Sequence, residues 1–482
     1  MNYNLEQLKP ELVWKHFKAI CQIPHPSHYE EKIREYVVEF AKAHNLEHSV
    51  DEACNVYISK PATPGYENRK GIVLQAHLDM VAQKNNDKVF DFKTDPIEAY
   101  IDGEWVTANG TTLGADNGIG AAAILAILED DTLEHGAIEG LFTATEETGL
   151  DGALGLKSGV LKGDILLNLD SESEGEFYVG CAGGLDINIS LPYTAVAAPE
   201  GWSAVKLEVK GLKGGHSGIQ ISLQRGNANR LLCRWLLHTK QEWLLASIDG
   251  GGLRNAIPRE AVAVVLVKDV EAFKAEAAAY EKTLQSEFEN IEDSIVVLAE
   301  EVDVPAEIIP AEAAVKLIKA VVGAPNGVAK MSVEMEGLVQ TSTNLSRVVS
   351  NGECVKIQCL LRSSVSSEKF ALAEAIRGVF ELAGAEVEFS GSYDGWKPNM
   401  ESPILKAMST SYEALYGNKP LVTAIHAGLE CGIIGGVYPN LDMISFGPTI
   451  CYPHSPDEKV EIASVAKFYE FLLHTLKNAP TK

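Results

Sequence analysis

The sequence of 482 residues lacks any run of about twenty uninterrupted apolar residues, so no segment reads as a membrane-spanning helix. It also lacks a Cys-x-x-Cys pair. Its eight cysteines, Cys21, Cys54, Cys181, Cys233, Cys354, Cys359, Cys431 and Cys451, are scattered, as reduced thiols in a cytosolic protein are, and form no disulfide framework. Positive charge is scarce: 41 Lys and Arg stand against 67 Asp and Glu, a net charge of −26 that repels nucleic acid and anionic membrane. The opening residues, Met-Asn-Tyr-Asn-Leu-Glu-Gln-Leu-Lys-Pro, have no apolar signal core and no cleavage site. Low-complexity tracts and short solenoid repeats are absent. These absences predict a soluble cytoplasmic protein with no nucleic-acid or membrane partner, and the length predicts two or three domains.

What is present falls into two textures. Up to about residue 186, short apolar runs alternate with helical patterns: helices within 12–43, strands at 71–76, 140–145 and 164–169, and a helix at 118–128. That alternation indicates an α/β sheet covered by helices. From about residue 187, Val205, Leu207 and Val209 alternate with Lys206, Glu208 and Lys210, the pattern of a strand with one wet face. Helices near 227–239, 272–290, 311–322 and 368–383 and strands near 261–267, 294–298, 344–349 and 354–361 make this an α+β region. After about residue 395 the first texture returns, with a helix at 402–416 and a strand at 441–446. The expected organisation is an α/β catalytic domain (1–186 and 392–482) interrupted by an inserted α+β domain (187–391).

Glu146 and Glu147 stand side by side after an apolar β-rich run. Adjacent carboxylates repel, and on a strand they point to opposite sides. A site that holds both has a cation to hold them against, with one free to bind metal and the other to handle a proton. Four further segments keep them company. Gln75-Ala-His77-Leu-Asp79 puts a His and an Asp two residues apart beyond a strand, where Asp79 can orient the imidazole of His77. Asp116 sits at a glycine-lined turn opening a helix, Asp170 ends a strand, and His454 lies in a Pro-rich loop. Strand ends are where open α/β sheets place their sites, and this mixture of His, Asp and Glu suits Zn²⁺ and its neighbours. Two imidazoles and three carboxylates suffice for two ions if one carboxylate bridges.

The ordered set His77-x-Asp79, Asp116-Asn117-Gly118, Glu146-Glu147, Asp170 and His454 resembles the M20 family of di-zinc peptidases, and within it the bacterial aminoacyl-histidine dipeptidases. The resemblance runs from Leu12-Val-Trp-Lys-His-Phe to Cys451-Tyr-Pro-His-Ser-Pro456 with no departure at those positions. It implies a zinc-peptidase-like catalytic domain with a mixed sheet and an inserted lid. It implies two Zn²⁺ per chain, with Co²⁺ or Mn²⁺ as substitutes. His77 and Asp170 are then ligands of one ion, Glu147 and His454 of the other, and Asp116 their bridge. Glu146 becomes the general base, Asp79 the support of His77, and the Asp116–Asn117 peptide cis. The implied reaction is hydrolysis of small dipeptides, Xaa-His and broader including carnosine-like ones, by a zinc-activated water; an amidohydrolase of N-acyl or N-carbamoyl amino acids is the alternative.

Within the insert, Gly211-Leu-Lys-Gly-Gly-His216-Ser-Gly218 reads on its residues as a flexible turn, and the resemblance makes His216 a donor to the substrate oxyanion. Arg254-Asn255-Ala-Ile-Pro258 and Leu361-Arg362-Ser363 resemble further lid elements, Arg362 being a natural clamp for a dipeptide carboxylate. Ala427-Gly428-Leu-Glu-Cys-Gly432 resembles a turn whose Gly428 backbone approaches that carboxylate. The insert is about twice a compact module of ~100 residues. Dimeric relatives borrow the lid His from a partner, and a doubled lid can supply it within one chain, so monomer and homodimer both stay open.

Overall fold

The computed structural model describes residues 2–482, which form two compact units. One comprises the chain through Cys181, Trp396–Ala424 and Leu429–Lys482. The other comprises Ala182–Gly395 and Ile425–Gly428.

The first unit is built on an eight-stranded sheet in the order Glu47–Val50, Val56–Lys60, Ile138–Thr143, Ile72–His77, Ile165–Asn168, Asp442–Ser445, Glu176–Cys181 and Leu421–Ile425. Its centre is parallel: Ile72–His77 pairs in parallel with Ile138–Thr143 and with Ile165–Asn168, which pairs in parallel with Asp442–Ser445. Toward its first edge the pairing is antiparallel, so the sheet is mixed. Ile72–His77 and Ile165–Asn168 are buried along their whole length, which is why they read as continuous apolar runs with no alternation.

Helix Ala115–Glu129 is buried on all sides from Asn117 to Leu128. A helix without a polar face belongs inside a core, and its small residues let it approach closely. A Cβ on Gly120 would lie 2.5 Å from the Leu169 carbonyl and 2.1 Å from Asn117 Oδ1. Gly120 therefore brings the helix that carries Asp116 against the strand end that carries Asp170. Gly120→Ala is expected to destabilise the fold by about 1–3 kcal/mol through overpacking. Chemical denaturation checks this, and an unchanged midpoint would remove the close-approach argument.

The second unit holds a sheet of nine strands, eight of them in the order Ser203–Lys210 beside Val296–Val302 at one end, then Ala261–Val267, Trp243–Gly250, Val339–Ser350, Cys354–Ser363, Gly183–Pro192 and Glu386–Tyr393. Trp243–Gly250 and Val339–Ser350 share only two paired positions, Asp249 with Val349 and Gly250 with Val348, so the sheet consists of two halves meeting at a narrow seam. Helices Ala228–His238, Val270–Glu287, Ala311–Gly323 and Ser366–Leu382 close over one face, with Trp235, Phe273, Leu317 and Phe380 in a continuous apolar core. The alternating burial of Ser203–Lys210 is that of a strand with one wet face. Among the described residues, no helix is long and apolar enough to cross a membrane.

Candidate active site

In the first unit, three central strands end at one place. His77 is the last residue of Ile72–His77, Glu146 and Glu147 follow Ile138–Thr143, and Asp170 follows Ile165–Asn168. Asp116 joins them from the start of its helix, after the left-handed Gly114, and the Asp116–Asn117 peptide is cis as the resemblance implied. His454 arrives from the loop Tyr452–Glu458 with φ of +59°.

Asp116 stands in the middle. Its Oδ1 lies 3.1 Å from His77 Nε2 and its Oδ2 3.1 Å from His454 Nε2. Asp170 Oδ1 is 3.3 Å from the same His77 nitrogen, and Glu147 Oε2 is 3.0 Å from that of His454. Three groupings have ligand atoms all within 4.8 Å of one another: His77, Asp116 and Asp170; Asp116, Glu147 and His454; and His77, Glu146 and Glu147. The structure thus brings together six of the seven sequence-predicted residues of this centre, with the seventh, Asp79, directly behind them.

Asp79 does more than the sequence suggested. His77 Nδ1 donates to the Asp79 backbone carbonyl at 3.0 Å and lies 3.4 Å from its Oδ1, which leaves Nε2 facing the centre. The Asp79 carboxylate also accepts from the backbone N–H of Glu146 at 2.9 Å and of Glu147 at 3.2 Å, and from Ser27 Oγ at 2.7 Å. The glutamate pair accordingly does not alternate across a strand. It lies on a turn introduced by Thr145 in the left-handed region at φ +53°, and Thr145 is tied to Glu30 through its N–H and hydroxyl. Strand alternation stops where the extended backbone stops.

Carboxylates outnumber imidazoles here, and the electrostatics follow. Glu146 is pushed well above the usual carboxylate range by burial, with Asp170, Glu430 and Glu147 adding to it. Burial raises Asp170 to about 6, with Asp116 and Glu147 contributing. His454 is raised to about 11 by its hydrogen bonds to Asp116 and Glu147. Burial opposes charge on His77, but Asp170, Asp116 and Asp79 outweigh it and raise its pKa well above the ordinary value. Such a pocket demands positive charge. Glu147 Oε1 is buried with no hydrogen-bond partner, the condition of an oxygen that can ligate a cation. Imidazole nitrogens with carboxylate oxygens fit zinc-like divalent ions.

Sequence reasoning missed the polar layer beneath. Gln75 Nε2 donates to Glu430 at 2.6 Å, Thr143 Oγ1 donates to Glu430 at 2.8 Å, and Asn168 Nδ2 donates to Gln75 Oε1 at 2.5 Å, all buried. These bonds tie together the strands whose ends carry the site. Gln75 and Asn168 each lie two residues before a site residue, the one hint the sequence held.

The second unit assembles the four predicted lid residues. His216 is not in a loose turn: Gly215–His216 pairs antiparallel with Ala256–Ile257. Its Nδ1 accepts from the N–H of Gly218 at 3.2 Å and of Ile219 at 3.1 Å, so the neutral ring carries its proton on Nε2. Burial, then the charge of Arg362, lowers its pKa and keeps it neutral. Asn255 is exposed, and its carbonyl accepts from Ser217 N–H at 2.8 Å. Arg254 is an anchor, bonded to Asn188 at 2.7 Å and paired with Asp186 at 3.3 Å.

Arg362 is 6% exposed, its Nε has no partner, and no described side chain forms an ion pair with it. A Cβ on Gly218 would meet the His426 carbonyl at 2.2 Å and Arg362 Nε at 3.0 Å, so only glycine lets the His216 turn lie against both. His426, two residues before Gly428 and missed by sequence reasoning, is buried and bonded through Nε2 to Ser342 at 2.7 Å. Burial and then Arg362 hold it neutral, with a pKa of about 3.

Residues 73–478 match peptidase family M20/M25/M40. Over 482 residues the chain is 47% identical to the cytosol non-specific dipeptidase of Escherichia coli strain K12, covering 99% of each protein. Its fold is similar to the solved structure of an aminoacylhistidine dipeptidase from Vibrio alginolyticus, with a TM-score of 0.94 and 48% identity over 99% of this chain and 98% of that one. An aminopeptidase PepT from Bacillus cereus shares the fold at a TM-score of 0.58 and 15% identity, over 98% of this chain and 99% of that one.

Proposed function

We propose that this chain, which belongs to peptidase family M20/M25/M40, is a cytoplasmic metallodipeptidase using two divalent ions, Zn²⁺ foremost. One observation carries the reading: the two oxygens of Asp116 each face a different imidazole, so that one carboxylate is shared by the His77–Asp116–Asp170 and Asp116–Glu147–His454 groupings. In this assignment His77 and Asp170 hold one ion, Glu147 and His454 the other, and Asp116 both. When bound, the ions supply Lewis acidity to the scissile carbonyl and acidify a water molecule. The similarity to dipeptidases along the whole chain supports the substrate class. The two compact units support reading the chain as a catalytic domain with an inserted lid, for which the sequence suggests 187–391.

The chain's own groups divide the remaining work. Glu146 takes the proton of the attacking water and passes it to the leaving amine. Its burial among other carboxylates suits a group that must hold a proton in transit. Asp79 keeps His77 in the tautomer that presents Nε2. His216 donates from Nε2 to the developing oxyanion. Arg362 takes the substrate carboxylate, with Asn255 and Gly428 contributing to the same recognition.

A panel of Xaa-His and other dipeptides, assayed after chelator treatment and addition of Zn²⁺, Co²⁺ or Mn²⁺, tests the reading. Free amino acids should appear from dipeptides and none from N-acetyl or N-carbamoyl amino acids; the reverse pattern would make the chain an amidohydrolase. Metal analysis tests the ligand set. Glu147→Ala and His454→Ala should lower bound metal toward one ion per chain, whereas Asp116→Ala should lower both. Two ions retained in the Asp116 variant would defeat the bridge.

A further inference from the structure

The backbone of Asp116 and Asn117 is not helical, so regular helix follows only after them, and the N–H groups of Leu113, Gly114, Ala115 and Asp116 lie on the turn that leads into it. Gly114, within that turn, has no side chain to accept them. The acceptor comes from far along the chain. Glu458 Oε2 accepts from the N–H of Leu113 at 2.8 Å and of Gly114 at 3.0 Å, and Oε1 from the N–H of Ala115 at 2.8 Å and of Asp116 at 3.2 Å. Glu458 is 2% exposed, and no step of the proposed reaction uses it. Four N–H groups bonded to one buried carboxyl group are a strong clamp.

Glu458 is itself fixed. Its carbonyl accepts from Thr107 Oγ1 at 2.8 Å, and its N–H donates to the Ser455 carbonyl at 3.0 Å. The next three residues, Lys459–Glu461, pair in antiparallel register with Trp105–Thr107. His454 lies four positions upstream on the same anchored segment. One segment therefore delivers an imidazole to the side chain of Asp116 and a carboxylate to its backbone, so the two ends of that residue cannot shift independently.

We propose that Glu458 is a positioning residue of the metal centre: by clamping the four N–H groups of 113–116 it sets where Asp116 is held between His77 and His454, and thereby how tightly the two ions bind. The inference rests on the two-ion reading above. The clamp needs two acceptor oxygens. In Glu458→Gln an NH₂ group faces two N–H donors in place of one oxygen, while Glu458→Asp keeps both oxygens but falls one methylene short.

The test is titration of chelator-treated full-length protein with Co²⁺, followed by visible absorption, beside thermal melts of the metal-free proteins. The unaltered chain should take up two Co²⁺. Glu458→Gln should bind them roughly 10–100-fold more weakly, as loss of a group that orients a ligand does, with an altered absorption band at saturation. Glu458→Asp should fall between. If both variants match the unaltered chain in affinity and spectrum, or if their weaker binding is accounted for by the metal-free unfolded fraction, Glu458 only braces the turn at 113–116 and the proposal fails. If Glu458→Gln does not fold, the Asp variant decides alone by the same criterion. Should the unaltered chain bind no Co²⁺, the two-ion reading itself has failed and this inference with it.

Discussion

Glu146→Gln is expected to keep its full complement of metal and to lose turnover by about 10²–10⁴, the range for a removed general base. The amide is nearly isosteric with the acid but cannot take the proton of the attacking water. The measurement that matters is metal content beside rate, because Glu146 also lies in a grouping with His77 and Glu147 whose ligand atoms are within 4.8 Å of one another. If the variant has lost an ion, Glu146 is a ligand and the base must be sought elsewhere. If it keeps both ions and more than about a tenth of the wild-type rate, far less than a general base contributes, Glu146 is neither.

His216→Ala is expected to lower kcat by roughly 10²–10³ with little change in KM, because a bond to the oxyanion exists only in the transition state. The ring is prepared for that role: two backbone N–H groups occupy Nδ1, and burial beside Arg362 keeps it neutral with Nε2–H free to donate. Arg362→Ala removes a grip present in ground and transition states alike, so it should chiefly raise KM. Steady-state kinetics on one dipeptide separates the two. A His216 variant with near-normal kcat would leave the second unit without a part in the chemistry, and the assignment of its residues to catalysis would have to be withdrawn.

The sequence by itself determined which residues are available for chemistry and in what order they occur. His77, Asp116, Glu146, Glu147, Asp170 and His454 all follow strands or tight turns, and the strands could be found because burial on both faces makes them continuous apolar runs. The alternation at Val205, Leu207 and Val209 likewise revealed a half-exposed strand, because period two is a local property of the backbone.

Tertiary structure decided what no local pattern encodes. Four residues, Ile425–Gly428, belong with the second unit although the sequence around them has the texture of the first. The glutamates share a turn held by Asp79 and Glu30, where a strand would have separated them. His216 is ordered by pairing with a segment forty residues away in the chain. Glu458 and Glu430 look in the sequence like any other acidic residues of an acidic protein. Their partners, the N–H groups of 113–116 for one and Gln75 with Thr143 for the other, are hundreds of residues distant. Periodicity reports which face of an element is buried, whereas hydrogen bonds between distant segments depend on where the folded chain returns, and only the fold carries that information.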